Sequence, residues 1–239
     1  MGIARGPNIV TEGLQVHLDA ASLRSYPRTG TAWTDLISNT VFNPDNGTPT
    51  FDSAGLVWDF ENGSQHNFKC ESNLPDTNTQ TEYTRIAWFN PETVAGGNPY
   101  YIFLNEVGNN GDMMLGISNS KICYHQYVNA NAAGTGNEDY TLSGQTTLQI
   151  GNWYMGAVTF SRSNLIVNLY LNGILDKQHT NIRPVGNAGS DNLFVGGAES
   201  YIQSRTFDGL ISVVQHYNRV LSATEIAQNF NAYKNRFNI

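Results

Sequence analysis

The chain has 239 residues (26.3 kDa), of which 40% are hydrophobic and 11% aromatic: enough apolar material for one large domain or two small ones, and too much for a disordered segment. Charged residues make up only 14%, with 13 Lys and Arg against 20 Asp and Glu and a formal net charge of −7. That balance excludes a bundle of charged amphipathic helices and, with no basic cluster, a surface for nucleic acid.

No apolar run reaches the roughly 18 residues of a membrane span, so no membrane partner is expected. Residues 1–10 lack the basic, apolar and small-residue pattern of a secretory leader, which predicts folding in a cytoplasm. Cys70 and Cys123 are too few for a disulfide scaffold or a zinc site and read as two buried thiols, with pairing as the alternative. The 23 glycines, and asparagines in still larger number, mark a turn-rich chain.

Residues 1–11, with Gly2, Gly6 and Pro7 and no alternation before Val10, read as an amino-terminal arm. The competing reading starts the first strand of the domain at Ile9 and Val10. From residue 12 to 239 a single domain is expected. Leu14, Val16, Leu18 and Ala20 share one face of a first strand, with Gln15, His17 and Asp19 on the other. Period-two patterns recur at 56–60, 83–89, 121–127 and 153–160. Residues 165–171 and 174–176 flank Asn172-Gly173, the strongest short-range hairpin signal because a type I′ turn needs positive φ at both central positions. Residues 192–196 and 209–217 add two more strands. Some ten to thirteen short strands separated by Gly, Asn, Ser and Thr clusters predict an all-β antiparallel jelly-roll sandwich of two sheets.

One helix is expected, at about 222–236. Ser222-Ala223-Thr224-Glu225 fits a capping box, and Leu221 with Ile226 fits a hydrophobic staple. Ile226, Phe230, Tyr233 and Phe237 form its apolar face, which leaves Asn229 on the solvent side.

Catalytic motifs are sparse. There is no Cys-x-x-Cys, His-Glu-x-x-His or Gly-x-Ser-x-Gly, and Gly134-Thr135-Gly136 lacks a strand-to-helix context. Asp59 and Glu61, at i and i+2 of a candidate strand, would face one way about 6.5–7 Å apart along the chain, a spacing that glycosidase carboxylates use. The plainer reading solvates Glu61 at the start of a loop. Asp112 and Asp208 could each supply one calcium ligand, although Asp208 before Gly209 suits a turn better. No other cofactor is implied. His17, His66, His125, His179 and His216 stand far apart. Asn46 and Asn62 match the glycosylation pattern but read as turns. Trp58, Trp88 and Trp153 fall in apolar strands and belong to a core, whereas Trp33 and Tyr26, in the loop 22–39, are the aromatics expected at the surface.

Trp153 through Thr159-Phe160, then Leu169-Tyr170-Leu171-Asn172-Gly173, resembles the concanavalin A-like jelly rolls of the laminin G type. Val195-Gly196-Gly197, residues 207–211 and residues 217–226 resemble that family's closing strands and final helix. The stretch Gly6-Pro7-Asn8-Ile9-Val10-Thr11-Glu12-Gly13-Leu14, with Leu18-Asp19-Ala20, Ser25-Tyr26-Pro27 and Trp33-Thr34-Asp35-Leu36, resembles virion structural proteins of tailed bacteriophages of marine or cyanobacterial hosts.

The resemblance implies a non-enzymatic virion component, a capsid decoration or tail part assembled in the host cytoplasm. It implies other virion proteins as partners and a homo-oligomer. The alternative it carries is a lectin-like module for host-surface glycans, and the weaker one a glycoside hydrolase using Asp59 and Glu61. The Glu-x-Asp-x-x-Glu signature of the glucanases of this fold is missing, which favours binding or assembly over hydrolysis.

Overall fold

A computed structural model describes residues 8–70, 81–106, 113–128, 138–182, 192–198 and 205–239. Two eight-stranded antiparallel sheets are stacked face to face, with one α-helix near the carboxyl end. Sheet A runs β14 (Ile174–Thr180), β13 (Ile166–Leu171), β12 (Tyr154–Ser161), β7 (Glu82–Pro91), β16 (Gly209–Tyr217), β5 (Val57–Phe60), β4 (Thr50–Asp52), with β1 (Leu14–Asp19) also paired to β16. Sheet B runs β11 (Glu138–Ser143), β10 (Lys121–Val128), β9 (Met113–Ser118), β8 (Tyr100–Glu106), β15 (Asn192–Val195), β6 (Phe68–Cys70), β3 (Val41–Pro44), β2 (Trp33–Thr34). The expected sandwich is present, with more strands than the alternation suggested. The additional ones include β2, β3, β4 and β6, two to four residues each, too short to show a period.

The principal core lies between the sheets. Phe60, Phe89, Phe160 and Leu169 from sheet A meet Phe103, Leu115, Ile122 and Tyr124 from sheet B. Asn172 (φ 51°) and Gly173 (φ 81°) make the positive-φ turn between β13 and β14 that their sequence predicts. A charge sits in this core. Arg85 on β7 is fully buried, its guanidinium 4.9 Å from the Tyr83 ring and 5.4 Å from the Phe103 ring. Its register neighbour His216 is pushed well below the usual histidine range, first by burial and then by that guanidinium. Burial pushes the Tyr83 hydroxyl up to about 12.

The loop after β1 corrects the expectation of surface aromatics. Trp33 is fully buried and Tyr26 nearly so. Tyr26 lies 4.6 Å from both Phe51 and Trp58, and Trp33 lies 5.7 Å from Phe68. The loop is folded back because Ser25 bridges the Asp19 N–H and the Thr34 carbonyl, while Arg28 donates to the Ala20 and Ala21 carbonyls. Cys70 and Cys123 are free and buried, and burial raises the Cys123 thiol far above its ordinary range.

The outer face of sheet A carries a second core under helix α1 (Ala223–Tyr233). A bulge between Leu14 and Val16 turns Leu14 to this outer side while Val16, Leu18 and Ala20 stay inside. The capping box forms as expected, and the bidentate grip of Arg219 on Glu225 (2.6 and 3.1 Å) holds that carboxyl down at about 2. Trp88 is the centre of the face. Phe230 is stacked on it at 5.7 Å and Phe237 at 4.5 Å, with Tyr233 edge-on at 6.1 Å.

Asn229 is not on the solvent side. It is fully buried, its Oδ1 accepting from the Val10 N–H (2.8 Å) and its Nδ2 donating to the Tyr217 hydroxyl (3.0 Å), which in turn donates to the Val10 carbonyl (2.9 Å). Gln228 donates to the Asn8 carbonyl (2.7 Å), so residues 8–10 of the expected arm dock on their own domain; residues 1–7 lie outside the described residues. Asn229→Ala is expected to cost about 1–3 kcal/mol by stranding the buried Val10 N–H. Phe230→Ala, at a partly exposed position, is expected to cost less than the roughly 3–5 kcal/mol of a fully buried phenylalanine. Chemical denaturation of the two variants checks the order.

Candidate functional site

Strand register builds a straight row of side chains across the outer face of sheet B. Asn43 on β3 stands opposite Lys69 on β6, Lys69 opposite Phe194 on β15, and Phe194 opposite Leu104 on β8. The row continues through Met114 on β9 and His125 on β10 to Thr141 on β11. Tyr101, Leu104, Met114, Phe194 and Ala198 form a small apolar cluster of their own, separate from the sandwich core. Polar groups stand at both ends of it.

At one end Arg205 organises the chemistry. Its guanidinium lies 5.6 Å from the Tyr101 ring and donates to the Tyr101 hydroxyl and to His125 Nε2 (3.2 Å). Arginine can only donate, so Nε2 is the bare nitrogen of His125, and its proton sits on Nδ1, 2.9 Å from Thr141 Oγ1. Hydrogen bonds thus diverge from Arg205, to Tyr101 on one side and through His125 to Thr141 on the other. At the other end Lys69 Nζ lies 5.7 Å from the Phe194 ring and 3.9 Å from the Asp45 carboxylate. Asn46 and Asn67 both donate to the Ala198 carbonyl (3.2 and 2.8 Å). Tyr101, Leu104, Met114, Phe194 and His125 are fully buried, so the side chains of the row that reach solvent are those toward its ends, Asn43, Lys69 and Thr141.

The acidic candidates gather elsewhere, around the ends of β5 and β7 and the start of β16. Asp59 lies on β5, but the strand ends at Phe60, and Glu61 is the exposed cap of a 3₁₀ turn (Asn62–Ser64), its N–H donating to His66 Nδ1 (3.1 Å). The Glu61 backbone is still extended (φ −110°, ψ 116°), and Asn62, Gly63 and Ser64 make the turn that follows. Asp208 accepts from the Asn62 N–H (3.1 Å) and the Thr93 hydroxyl (2.6 Å), pinning the segments after β5 and β7 to the start of β16. Burial, then the carboxylates of Asp59, Asp208 and Glu61, raise the Glu92 carboxyl above its ordinary value. Asp59 is raised too, by burial and then by Asp208 and Asp52, against the opposing pull of His66. Among the described residues no group of three or more His, Cys, Asp or Glu is arranged to hold a metal ion. Asp112 and Gly134-Thr135-Gly136 lie outside the described residues.

The five histidines do not converge: His17 lies beneath α1, His216 in the core, His66 beside Glu61, and His179 donates to the Ser143 carbonyl (3.0 Å). Both glycosylation-pattern asparagines are engaged through Nδ2, Asn46 as above and Asn62 with the Thr206 carbonyl (2.5 Å). Lys69, Arg205 and Tyr101 carry no local sequence signal: strand register places Lys69, and a contact across 104 residues of chain joins Arg205 to Tyr101.

The family model described as Concanavalin A-like lectin/glucanases superfamily matches residues 62–227. The chain belongs to that superfamily. No curated protein matches the sequence. Among solved structures, domain 4 of an extracellular arabinanase from Geobacillus stearothermophilus, in complex with arabinotriose, is 15% identical with a TM-score of 0.64, covering 91% of this chain and 98% of that one. The binding domain of botulinum neurotoxin DC, in complex with SialylT, is 14% identical with a TM-score of 0.64, covering 92% and 51%. The sialidase of Trypanosoma rangeli is 14% identical with a TM-score of 0.65; 95% of this chain is covered, but only 34% of the sialidase. At these identities the likeness is one of fold.

The raised Glu92 gives the superfamily member a pH signature. The folded state holds this proton more tightly than the unfolded chain, so stability falls as pH rises through the interval from the ordinary glutamate value to the raised one. Glu92→Gln is expected to raise Tm at about pH 7 and to leave it unchanged at about pH 3, where the carboxyl is protonated in both states. Thermal melts at the two pH values check it, and an equal gain at both would exclude charge repulsion as the cause.

Proposed function

We propose that this chain is a non-catalytic carbohydrate-binding module whose ligand lies over the accessible end of the row across sheet B, at Asn43 and Lys69. The observation that carries the reading is the cross-strand pairing of exposed Asn43 with Lys69, whose ammonium stands 3.9 Å from the Asp45 carboxylate. A sugar presents directional hydroxyls, which an amide, an ammonium and a carboxylate side by side can engage. Solved domains of the same fold in complex with arabinotriose and with SialylT support it. Catalysis is left out of the proposal because the chain lacks the Glu-x-Asp-x-x-Glu signature of the glucanases of this fold.

A second, compatible reading places the module on a virion of a tailed phage as a capsid decoration or tail component, meeting other virion proteins. Its support is the resemblance carried by the stretch from Gly6 to Leu36. Within that stretch Trp33 lies on β2, and Tyr26 and Asp35 lie in the flanking loops, all three buried.

A glycan array followed by calorimetric titration is expected to find a ligand in the millimolar range or tighter. Lys69→Ala and Asn43→Ala should each weaken it roughly tenfold, the loss of about one good hydrogen bond, with Tm retained. Absence of binding at millimolar glycan would overturn the recognition reading. Mass spectrometry of purified virions tests the second reading independently, since a structural component must be present there in many copies.

A further inference from the structure

The accessible end of the sheet B row presents two opposite charges at a set distance. Lys69 Nζ and the Asp45 carboxylate stand 3.9 Å apart, and both side chains reach solvent, with 18% and 27% of their surface exposed. That separation suits an ion pair but exceeds the roughly 2.7–3.2 Å of a direct hydrogen bond. The two groups therefore balance each other in charge without donating to one another.

Both are held where they are by their surroundings. Asp45 directly follows β3, two residues beyond Asn43, which stands opposite Lys69 on β6. The next residue, Asn46, is tied twice: its N–H donates to Asn67 Oδ1 (3.2 Å) and its Nδ2 to the Ala198 carbonyl (3.2 Å). The backbone that carries Asp45 is thus pinned on its far side. The Lys69 ammonium lies 5.7 Å from the ring of the buried Phe194.

We propose that this end of the row selects uncharged sugars over acidic ones, with Asp45 as the selecting residue, an inference that rests on the carbohydrate-binding reading above. A hydroxyl within hydrogen-bond distance of both groups accepts from Lys69 Nζ and donates its own proton to Asp45. The Asn43 amide, which both donates and accepts, serves a neighbouring hydroxyl. A sugar carboxylate only accepts. It can take a donor from Lys69 but has no proton for Asp45, and it sets two like charges side by side. Lys69 does not offset that repulsion, because Asp45 already balances its charge.

The wider distribution of charge points the same way. Arg205 lies against His125 on β10, and Lys121 opens that same strand. Strand β10 is four strands from β6 in the sheet, which places both cations roughly 19 Å from Lys69, beyond a Debye length at physiological salt. The chain as a whole carries a net charge of −7, a field that disfavours the approach of an anion.

A glycan array that carries each neutral glycan beside its acidic counterpart, lactose with sialyllactose and galactotriose with trigalacturonate among them, tests this on the intact chain, with calorimetric titration of the pairs that bind. The neutral member is expected to bind at least about tenfold tighter. Asp45→Asn keeps an acceptor but leaves the charge of Lys69 unbalanced, and should move the ratio of the two affinities about tenfold toward the acidic member, with Tm retained. Asp52→Asn, which removes one negative charge on β4 of the other sheet, should leave the ratio unchanged. The selectivity is overturned if the acidic member binds as tightly as the neutral one, or if Asp45→Asn moves the ratio no further than Asp52→Asn does. Failure of every glycan to bind at millimolar concentration would instead overturn the carbohydrate-binding reading, and the selectivity with it.

Discussion

Strand β7 is buried on both faces, and the rest of the architecture answers that constraint. Tyr83, Arg85, Ala87 and Phe89 point into the sandwich; Thr84, Ile86 and Trp88 point the other way. An antiparallel sheet normally leaves one face to water. Sheet A cannot, because Trp88, Met155, Tyr170 and Val213 make its outer side apolar. Sheet B covers one side; helix α1 and the docked residues 8–10 cover the other. The terminal helix is thereby part of the core, and the buried Asn229 joins it to the first described residues through a closed set of hydrogen bonds.

Sheet B meets the same problem differently. Its outer face carries a narrow apolar cluster, and polar side chains at both ends are oriented by one another rather than by solvent. Arg205 fixes the tautomer of His125 because a guanidinium cannot accept. Both outer faces thus bury their apolar centres, sheet A under α1 and sheet B within a cluster of its own bounded by paired polar groups.

The acidic cluster at the ends of β5 and β7 brings four carboxylates from separate segments together. Asp208 satisfies donors from two segments and is architectural. Burial raises both carboxyls, Asp59 with Asp208 and Asp52 and against His66, Glu92 with Asp59, Asp208 and Glu61. A raised carboxyl is a requirement for general acid chemistry, and it also arises wherever loops bring like charges together.

Much of the sandwich was legible in the residues themselves. Alternation marked the long strands, Asn172-Gly173 marked a hairpin that forms as expected, and Ser222 with Glu225 marked the helix start, because each signal is local and lies within a few residues of its effect. Tertiary packing decided the rest. A bulge sent Leu14 to the opposite face, the folded-back loop buried Trp33 and Tyr26, and the interface beneath α1 took in Asn229 and Gln215, polar residues that a helical or strand period assigns to water. The row from Asn43 to Thr141 draws one residue from each of seven strands far apart in the chain. No local pattern encodes it, since cross-strand neighbours are set by register, and register is settled only when the strands pair.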